Sequence, residues 1–89
     1  MADPRIVVDR LNAGWCHMLT DGPDEHLITF AERIGLRREW IQRPGTDRAH
    51  FDLKASKRAL ALAAGAVEVG PKEIVATIRR KRASGVPHG

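Results

Sequence analysis

HFDLKASKR, residues 50–58, leads directly into ALALAAGAVEV, residues 59–69, and this pattern predicts a strand, a helix, a glycine stop and a second strand. Side chains alternate between the two faces of a strand, so Phe51 and Leu53 are expected in the core. His50 and Asp52 then face solvent or a ligand. A strand, a helix of about ten residues and another strand are long enough for a parallel crossover, so the segment predicts a βαβ unit.

The flanking sequence predicts further strands and helices. Strands are expected over residues 5–9, 15–20 and 39–42, which are rich in β-branched, aromatic or alternating apolar positions. A helix that ends at Gly35 and a last helix that begins at Gly70-Pro71 follow from their apolar spacing and end signals. The predicted class is α/β, with three helices and a small single-layer sheet, mixed or parallel, of about four to five short strands.

Composition limits the classes of protein that the chain can belong to. Its 89 residues carry a formal net charge of +4 and a single cysteine, Cys16, which excludes an internal disulfide and a Cys-x-x-Cys zinc finger. One domain is expected over residues 1–82, with a flexible tail over 83–89. Without a signal core or a run near the ~18 apolar residues that span a bilayer, we expect a cytoplasmic protein with no membrane partner.

Two polar residues of the central strand are candidates for catalysis or for metal binding. His50 and Asp52 are two residues apart, about 6.6 Å along a strand, so both can reach one ion, water molecule or substrate group. Asp9, His17 and Asp21 are the further donors available if their strands are neighbours, and the metal candidates are therefore Asp9, His17, His50 and Asp52. This donor set favours Mg²⁺ or Mn²⁺ over a closed zinc site. The competing interpretation is structural, with Asp52 capping the next helix and His50 hydrogen-bonded to Asp52 or to a neighbouring loop.

Two groups of cations are candidates for binding phosphate. Free N–H groups and the helix dipole favour an anion at the start of the helix that follows Leu53. The predicted anion-binding residues there are Lys54, Ser56, Lys57 and Arg58. The predicted nucleic-acid-binding residues at the end of the last helix are Arg79, Arg80, Lys81 and Arg82. These four span one helical turn and form a collar of charge, for which the alternative role is to end the helix and solvate the tail.

Aromatic residues do not predict a stacking platform for bases. The chain has no tyrosine, two tryptophans and two phenylalanines. The pattern assigns most of these four side chains to the core.

The order and spacing of these residues resemble a small bacterial and phage family known as domain of unknown function 4031. The matching positions are the strand ending in Asp9, His17 and Asp21 around residues 18–20, residues 27–37, Trp40, Gln42, and residues 50–53, 56–58 and 65–69. The sequence departs from the family pattern at Arg10, His26, Phe51 and Lys54, and the first two changes make the expected metal cluster less acidic. The resemblance implies a fold grouping and candidate polar positions, but no reaction.

Three functions follow from the sequence. The first is a basic module that binds a phosphate-bearing partner, nucleic acid or a nucleotide phosphate, through a helix start and the last helix. The second is a metal-dependent, nuclease-like hydrolase that uses the His/Asp cluster. The third is a phage-type protein-interaction module directed at a host protein, with Trp40 and the loop over residues 43–48 as contacts. Whether the chain is an enzyme stays open at this point.

Overall fold

A four-stranded mixed sheet organises the chain in this computed structural model, which describes residues 4–84. The strands are β1 (Ile6–Val8), β2 (Trp15–Thr20), β3 (Phe51–Lys54) and β4 (Val67–Glu68), and they lie side by side in the order β3-β2-β1-β4. Strands β1 and β2 are antiparallel, as are β2 and β3, whereas β1 and β4 are parallel. The predicted α/β class and the mixed sheet are therefore confirmed.

Three helices accompany the sheet. They are α1 (Asp24–Arg33), α2 (Ala55–Ala63) and α3 (Pro71–Ala83), and a short 3₁₀ helix spans Arg38–Trp40. Within residues 4–84, no helix has both the length and the apolar character needed to cross a membrane. Because α3 includes Ala83, the tail expected over 83–89 cannot begin there, and residues 85–89 lie outside the described residues.

The predicted strand–helix–strand unit connects β3 through α2 to β4. Both strands run parallel to β1, so they are parallel to each other, but β2 and β1 lie between them in the sheet. The helix thus crosses the sheet instead of joining two adjacent strands. This crossover leaves β2 next to β3, which determines the site described below.

The prediction of a strand over residues 39–42 is wrong. That segment begins in the 3₁₀ helix, and only Gln42 pairs with another segment, in an isolated bridge to His50. The guanidinium of Arg38 is 2.8 Å from a carboxylate oxygen of Glu25 on α1, which holds the turn against that helix. The strand was predicted from the local pattern of residues, and a local pattern cannot indicate this long-range ion pair.

The two faces of the sheet carry separate apolar clusters. On one face, Phe51 and Leu53 are buried as predicted, together with side chains of α1 and α2. Cys16 is also buried in this cluster, and desolvation by burial, followed by the charge of Asp9, raises the pKa of its thiol. On the other face, a smaller cluster consists of Val7, Leu19 and Val69, with Ile74 and Ile78 of α3 packed against it.

A buried ion pair connects α3 to α1. The Lys81 side chain is only 1% exposed, and its ammonium lies 2.5 Å from Oδ1 of Asp24, whose Oδ2 accepts a 2.7 Å hydrogen bond from the backbone N–H of Gly45. A buried ammonium is costly without a partner, because the protein interior solvates charge poorly. The pair therefore fixes α3, the start of α1 and the 43–48 loop relative to one another.

Removing the carboxylate of this pair should destabilise the protein more than removing an exposed partner elsewhere on α3. We expect Asp24→Ala to lower the free energy of unfolding by about 3 kcal/mol, since Lys81 is then buried without a counter-charge. Lys81→Met should cost about 1 kcal/mol, because it removes the buried charge and keeps the apolar stem. Urea denaturation followed by circular dichroism measures both values.

Arg82→Ala is the matched control, because Arg82 is on the same helix as Lys81 and forms an ion pair with Asp47 of the loop, but its side chain is 63% exposed. We expect that variant to lose less than about 1 kcal/mol. Equal losses for Asp24→Ala and Arg82→Ala would contradict the account of the buried pair.

Candidate functional site

Strand pairing brings His17 and Asp52 together on one face of the sheet. They are direct partners in the antiparallel register of β2 and β3. Their side chains lie on the same face of the sheet as Leu19, which belongs to the apolar cluster that α3 covers. His50, which precedes β3, adds a second imidazole. One nitrogen of each ring and a carboxylate oxygen of Asp52 all lie within 4.8 Å of one another. We call these three residues the His/Asp cluster.

The proton on the His50 ring is assigned by its neighbour. Its Nδ1 lies 2.8 Å from the backbone carbonyl oxygen of Arg48, and a carbonyl can only accept, so Nδ1 carries the hydrogen. Nε2 of the neutral ring then presents a lone pair, and it lies 3.4 Å from Oδ1 of Asp52. Two acceptor atoms face each other there, an arrangement that a proton or a metal cation between them stabilises.

His17 is held in the same tautomer by Asp9. Its Nδ1 lies 2.7 Å from Oδ2 of Asp9, and the other carboxylate oxygen accepts the backbone N–H of His17 at 2.7 Å. Nδ1–H therefore donates to the carboxylate and Nε2 is the nitrogen left for a ligand. A histidine that binds a metal usually donates its other N–H to a carboxylate or a carbonyl, and the two rings provide one example of each.

The predicted donors therefore separate into different roles. His17, His50 and Asp52 converge, whereas Asp9 lies behind His17 and orients it. Asp21 lies outside the cluster, where its carboxylate accepts hydrogen bonds from the backbone N–H of Arg5 and from the side chain of Arg80.

The separations within the cluster are close to those of a metal site. With bonds of about 2.1 Å and tetrahedral angles, two ligand atoms are about 3.4 Å apart. The distance between His50 and Asp52 equals that value. The largest separation, up to 4.8 Å, has to shorten by about 1.4 Å to meet the same geometry. The Asp52 side chain is 43% exposed, and so has space to rotate.

A hollow of about 200 Å³ opens beside the cluster, and we call it the arginine hollow. Its lining combines two histidines, two arginines and an apolar wall, and consists of His17, Leu19, Arg43, Arg48, His50, Ile74 and Ile78. Among residues 4–84, neither Arg43 nor Arg48 forms an ion pair with a carboxylate. The hollow is therefore lined by two arginines that no carboxylate of the described residues pairs with.

The loop that supplies these arginines is tied down at several points. Asp24 accepts the N–H of Gly45, Asp47 pairs with Arg82 at 2.7 Å, and the Thr46 hydroxyl donates to the Arg43 carbonyl at 2.8 Å. The backbone of Arg43 has φ 53°, a conformation that L-residues rarely adopt. The sequence suggested this loop as a contact for a host protein but did not place its two arginines beside the histidines, because that position depends on long-range contacts such as those of Asp24 and Arg82.

A second hollow, of about 600 Å³, lies on the other side of Asp52, and we call it the tryptophan hollow. Its lining consists of Trp15, Leu36, Glu39, Trp40, Gln42, Asp52, Lys54, Ser56 and Lys57. Trp15 is 48% exposed and Trp40 is 51% exposed, so the expectation that most aromatic residues are in the core is wrong for the tryptophans. Asp52 belongs to this hollow and to the His/Asp cluster.

The predicted anion-binding residues make different contacts, although three of them, Lys54, Ser56 and Lys57, line the tryptophan hollow. Lys57 donates to the backbone carbonyl of Ile34 at 2.9 Å, at the end of α1, and Arg58 donates to the backbone carbonyl of Asp9 at 3.0 Å and pairs with Glu68. Lys54 and Ser56 are exposed and line the tryptophan hollow. The helix cap is Lys54, without a side-chain cap bond, so the prediction that Asp52 caps α2 is wrong.

The predicted nucleic-acid-binding residues do form a collar around α3, but most of its charge is paired. Arg80 bonds to Asp21 and Glu73, Lys81 is buried against Asp24, and Arg82 bonds to Asp47. Arg79 is exposed. Three of the four cations are therefore held by carboxylates of the same chain.

Comparison with known proteins identifies a family but no activity. No curated protein and no solved structure matches the chain significantly. One family profile matches residues 2–81 of the 89, a span that includes β1 to β4, the His/Asp cluster and nearly all of α3. The chain therefore belongs to the family described as protein of unknown function (DUF4031).

Proposed function

We propose that this protein is a metal-dependent hydrolase of phosphate esters, in which His17, His50 and Asp52 hold one divalent cation. The observation that carries the proposal is the state of the two imidazoles. Each donates its Nδ1–H, to Asp9 or to the Arg48 carbonyl, and so each keeps the lone pair of Nε2 for a ligand, and one nitrogen of each ring lies within 4.8 Å of a carboxylate oxygen of Asp52.

The donor set favours a transition-metal ion. Two imidazoles and one carboxylate are the ligands of several catalytic zinc sites, which keep a further position for water. Imidazole also binds manganese and iron, whereas magnesium prefers an all-oxygen shell. We therefore favour Zn²⁺ or Mn²⁺, whereas the sequence favoured Mg²⁺ or Mn²⁺ over a closed zinc site.

The charges around the cluster favour an anionic substrate. Arg43 and Arg48 line the hollow next to both histidines, and planar guanidiniums match the oxygen atoms of a phosphate. Leu19, Ile74 and Ile78 form an apolar wall of the same hollow.

The proposed reaction is the hydrolysis of a phosphodiester to a phosphomonoester and an alcohol. A divalent ion supplies an activated water by lowering the pKa of the water that it binds. A water oxygen forms a bond to phosphorus, the bond from phosphorus to the leaving oxygen breaks, and the proton of water passes to that oxygen. The arginines stabilise the charge that develops on the phosphoryl oxygens. No electron acceptor or donor is required.

The other functions expected from the sequence remain predictions. They are binding of nucleic acid through α3, a protein-interaction role of the phage type, and a cytoplasmic location. The pairing of Arg80, Lys81 and Arg82 within the chain makes the first of these less favourable than the metal site.

Metal binding is the first test of the proposal. We expect the protein to bind one Zn²⁺ or Co²⁺ ion, and Asp52→Asn and His17→Ala to abolish binding, since each removes a ligand. Asp9→Asn should weaken binding about 10- to 100-fold, because it removes the group that orients His17. Isothermal titration calorimetry and the visible spectrum of bound Co²⁺ measure these effects.

His26→Gln is the matched control, because His26 bonds through Nε2 to the backbone carbonyl of Pro4, away from the cluster. This variant should bind metal like the parent protein. Retention of full affinity in Asp52→Asn would contradict the proposed ligand set.

Hydrolysis of bis(4-nitrophenyl) phosphate is the second test. We expect turnover with Zn²⁺ or Mn²⁺ that stops on addition of a chelator. Arg48→Ala should lower kcat/KM about 100-fold by removing a donor that stabilises the transition state. Arg79→Ala is the control, since it removes an exposed cation of α3 that does not line the arginine hollow. Equal rates in the Arg48 variant and the parent would show that the arginine hollow takes no part in catalysis. Metal-independent turnover would overturn the proposed function.

A further inference from the structure

The tryptophan hollow indicates which class of substrate the protein binds, which the His/Asp cluster alone does not. We propose that Trp15 and Trp40 bind an unpaired nucleobase, and that the substrate is a nucleotide or a single strand of nucleic acid. The position of the phosphate at the His/Asp cluster rests on the proposed function. The binding of the base does not.

Both tryptophans of the chain line this one hollow, and each is about half exposed, at 48% and 51%. Burying a tryptophan is among the largest hydrophobic gains available to a small domain, so exposing two of them gives up stability. Exposed aromatic residues that line a common concavity are typical of a contact surface for a ligand.

The hollow has the size and the chemistry for a nucleobase. Its volume, about 600 Å³, lies within the range of small-molecule sites, and Leu36 adds an apolar contact. Bases stack on aromatic rings whatever their sequence, because every base has a flat π surface. The amide of Gln42 can both donate and accept, and the carboxylate of Glu39 accepts, so the lining can bond to the edge of a base.

Both rings are mounted on backbone that is already fixed. Trp15 exchanges two backbone hydrogen bonds with Asn12, at 3.1 and 2.7 Å, in the turn that starts β2. Trp40 ends the 3₁₀ helix, where Arg38 bonds to Glu25 and Glu32 on α1. Rigid aromatic side chains bind with a small loss of conformational entropy, which favours stacking.

The charge of the surroundings suits the phosphate that accompanies a base. The ammonium of Lys54 lies 5.2 Å from the centre of the Trp15 ring, and Lys54 is exposed at the start of α2. The chain as a whole has a net charge of +4. In the lining of the hollow, Lys54 and Lys57 offset the carboxylates of Glu39 and Asp52, so the preference for an anionic ligand rests on the net positive charge of the whole chain.

Asp52 connects the base site to the proposed chemistry. It lines the tryptophan hollow, and its Oδ1 is 3.4 Å from Nε2 of His50 in the His/Asp cluster. The arginine hollow is lined by both histidines of the cluster, His17 and His50. A ligand whose base stacks on the tryptophans thus has its phosphate directed toward the cluster and the arginines. In a duplex the bases are paired and stacked on each other, so only an unpaired base fits this arrangement.

Tryptophan fluorescence tests the base site directly, because Trp15 and Trp40 are the two tryptophans of the chain. The full-length protein, kept in chelator so that no metal-dependent cleavage occurs, is titrated with adenosine monophosphate, with a short single-stranded oligonucleotide, and with ribose 5-phosphate. We expect saturable quenching by the two base-bearing ligands and none by ribose 5-phosphate. The nucleotide and oligonucleotide arms show whether a free nucleotide or a strand is the better ligand.

Trp40→Ala should weaken binding of the base-bearing ligands about 5- to 150-fold, the range expected for loss of one base stack. Trp40→Phe is the matched control and should retain most of the affinity, because it keeps an aromatic face. Far-ultraviolet circular dichroism confirms that both variants are folded, and calorimetry measures binding where fluorescence is lost. Equal affinity for ribose 5-phosphate, or no change in Trp40→Ala, would overturn the proposed base site.

The base site and the hydrolase proposal fail separately. Base-dependent quenching without any metal-dependent hydrolysis supports the base site and rejects the proposed function. Hydrolysis of bis(4-nitrophenyl) phosphate with no base-dependent quenching supports the proposed function and rejects the base site.

Discussion

The register between β2 and β3 is the constraint on which both the core and the candidate site depend. It pairs Met18 with Phe51 on the buried face and His17 with Asp52 on the open face. Because side chains alternate along a strand, a shift of one residue would turn apolar groups outward and the polar pair into the core. The burial of Phe51 and Leu53 therefore stabilises the arrangement of the polar residues opposite them.

A second constraint sets what surrounds the polar pair. The carboxylate of Asp24 binds the buried Lys81 and the backbone of Gly45, and so joins α1, α3 and the loop over residues 43–48. That loop carries Arg43 and Arg48 to the arginine hollow, and the Arg48 carbonyl fixes the tautomer of His50. One buried ion pair thus couples the stability of the fold to the electrostatics of the site.

The sequence allowed the central part of the fold and the donors of the site to be predicted, because both follow from local periodicity. Alternation over residues 50–53 predicted which side chains enter the core and left His50 and Asp52 on the open face. The failures come from long-range contacts. The burial of Lys81 depends on Asp24, 57 positions away, and an isolated lysine is normally expected at the surface. The turn over residues 38–40 likewise depends on ion pairs to α1.

Metal binding by the His/Asp cluster requires that His17 and His50 both carry an unprotonated Nε2. Long-range ¹H–¹⁵N correlation spectra of the metal-free, ¹⁵N-labelled protein measure this directly, at a pH at which the imidazoles are neutral. Both rings should be in the Nδ1–H tautomer, whereas His26, whose Nε2 bonds to the Pro4 carbonyl, should be in the Nε2–H tautomer and serves as an internal reference. An Nε2–H tautomer at either His17 or His50 would exclude this arrangement of the His/Asp cluster.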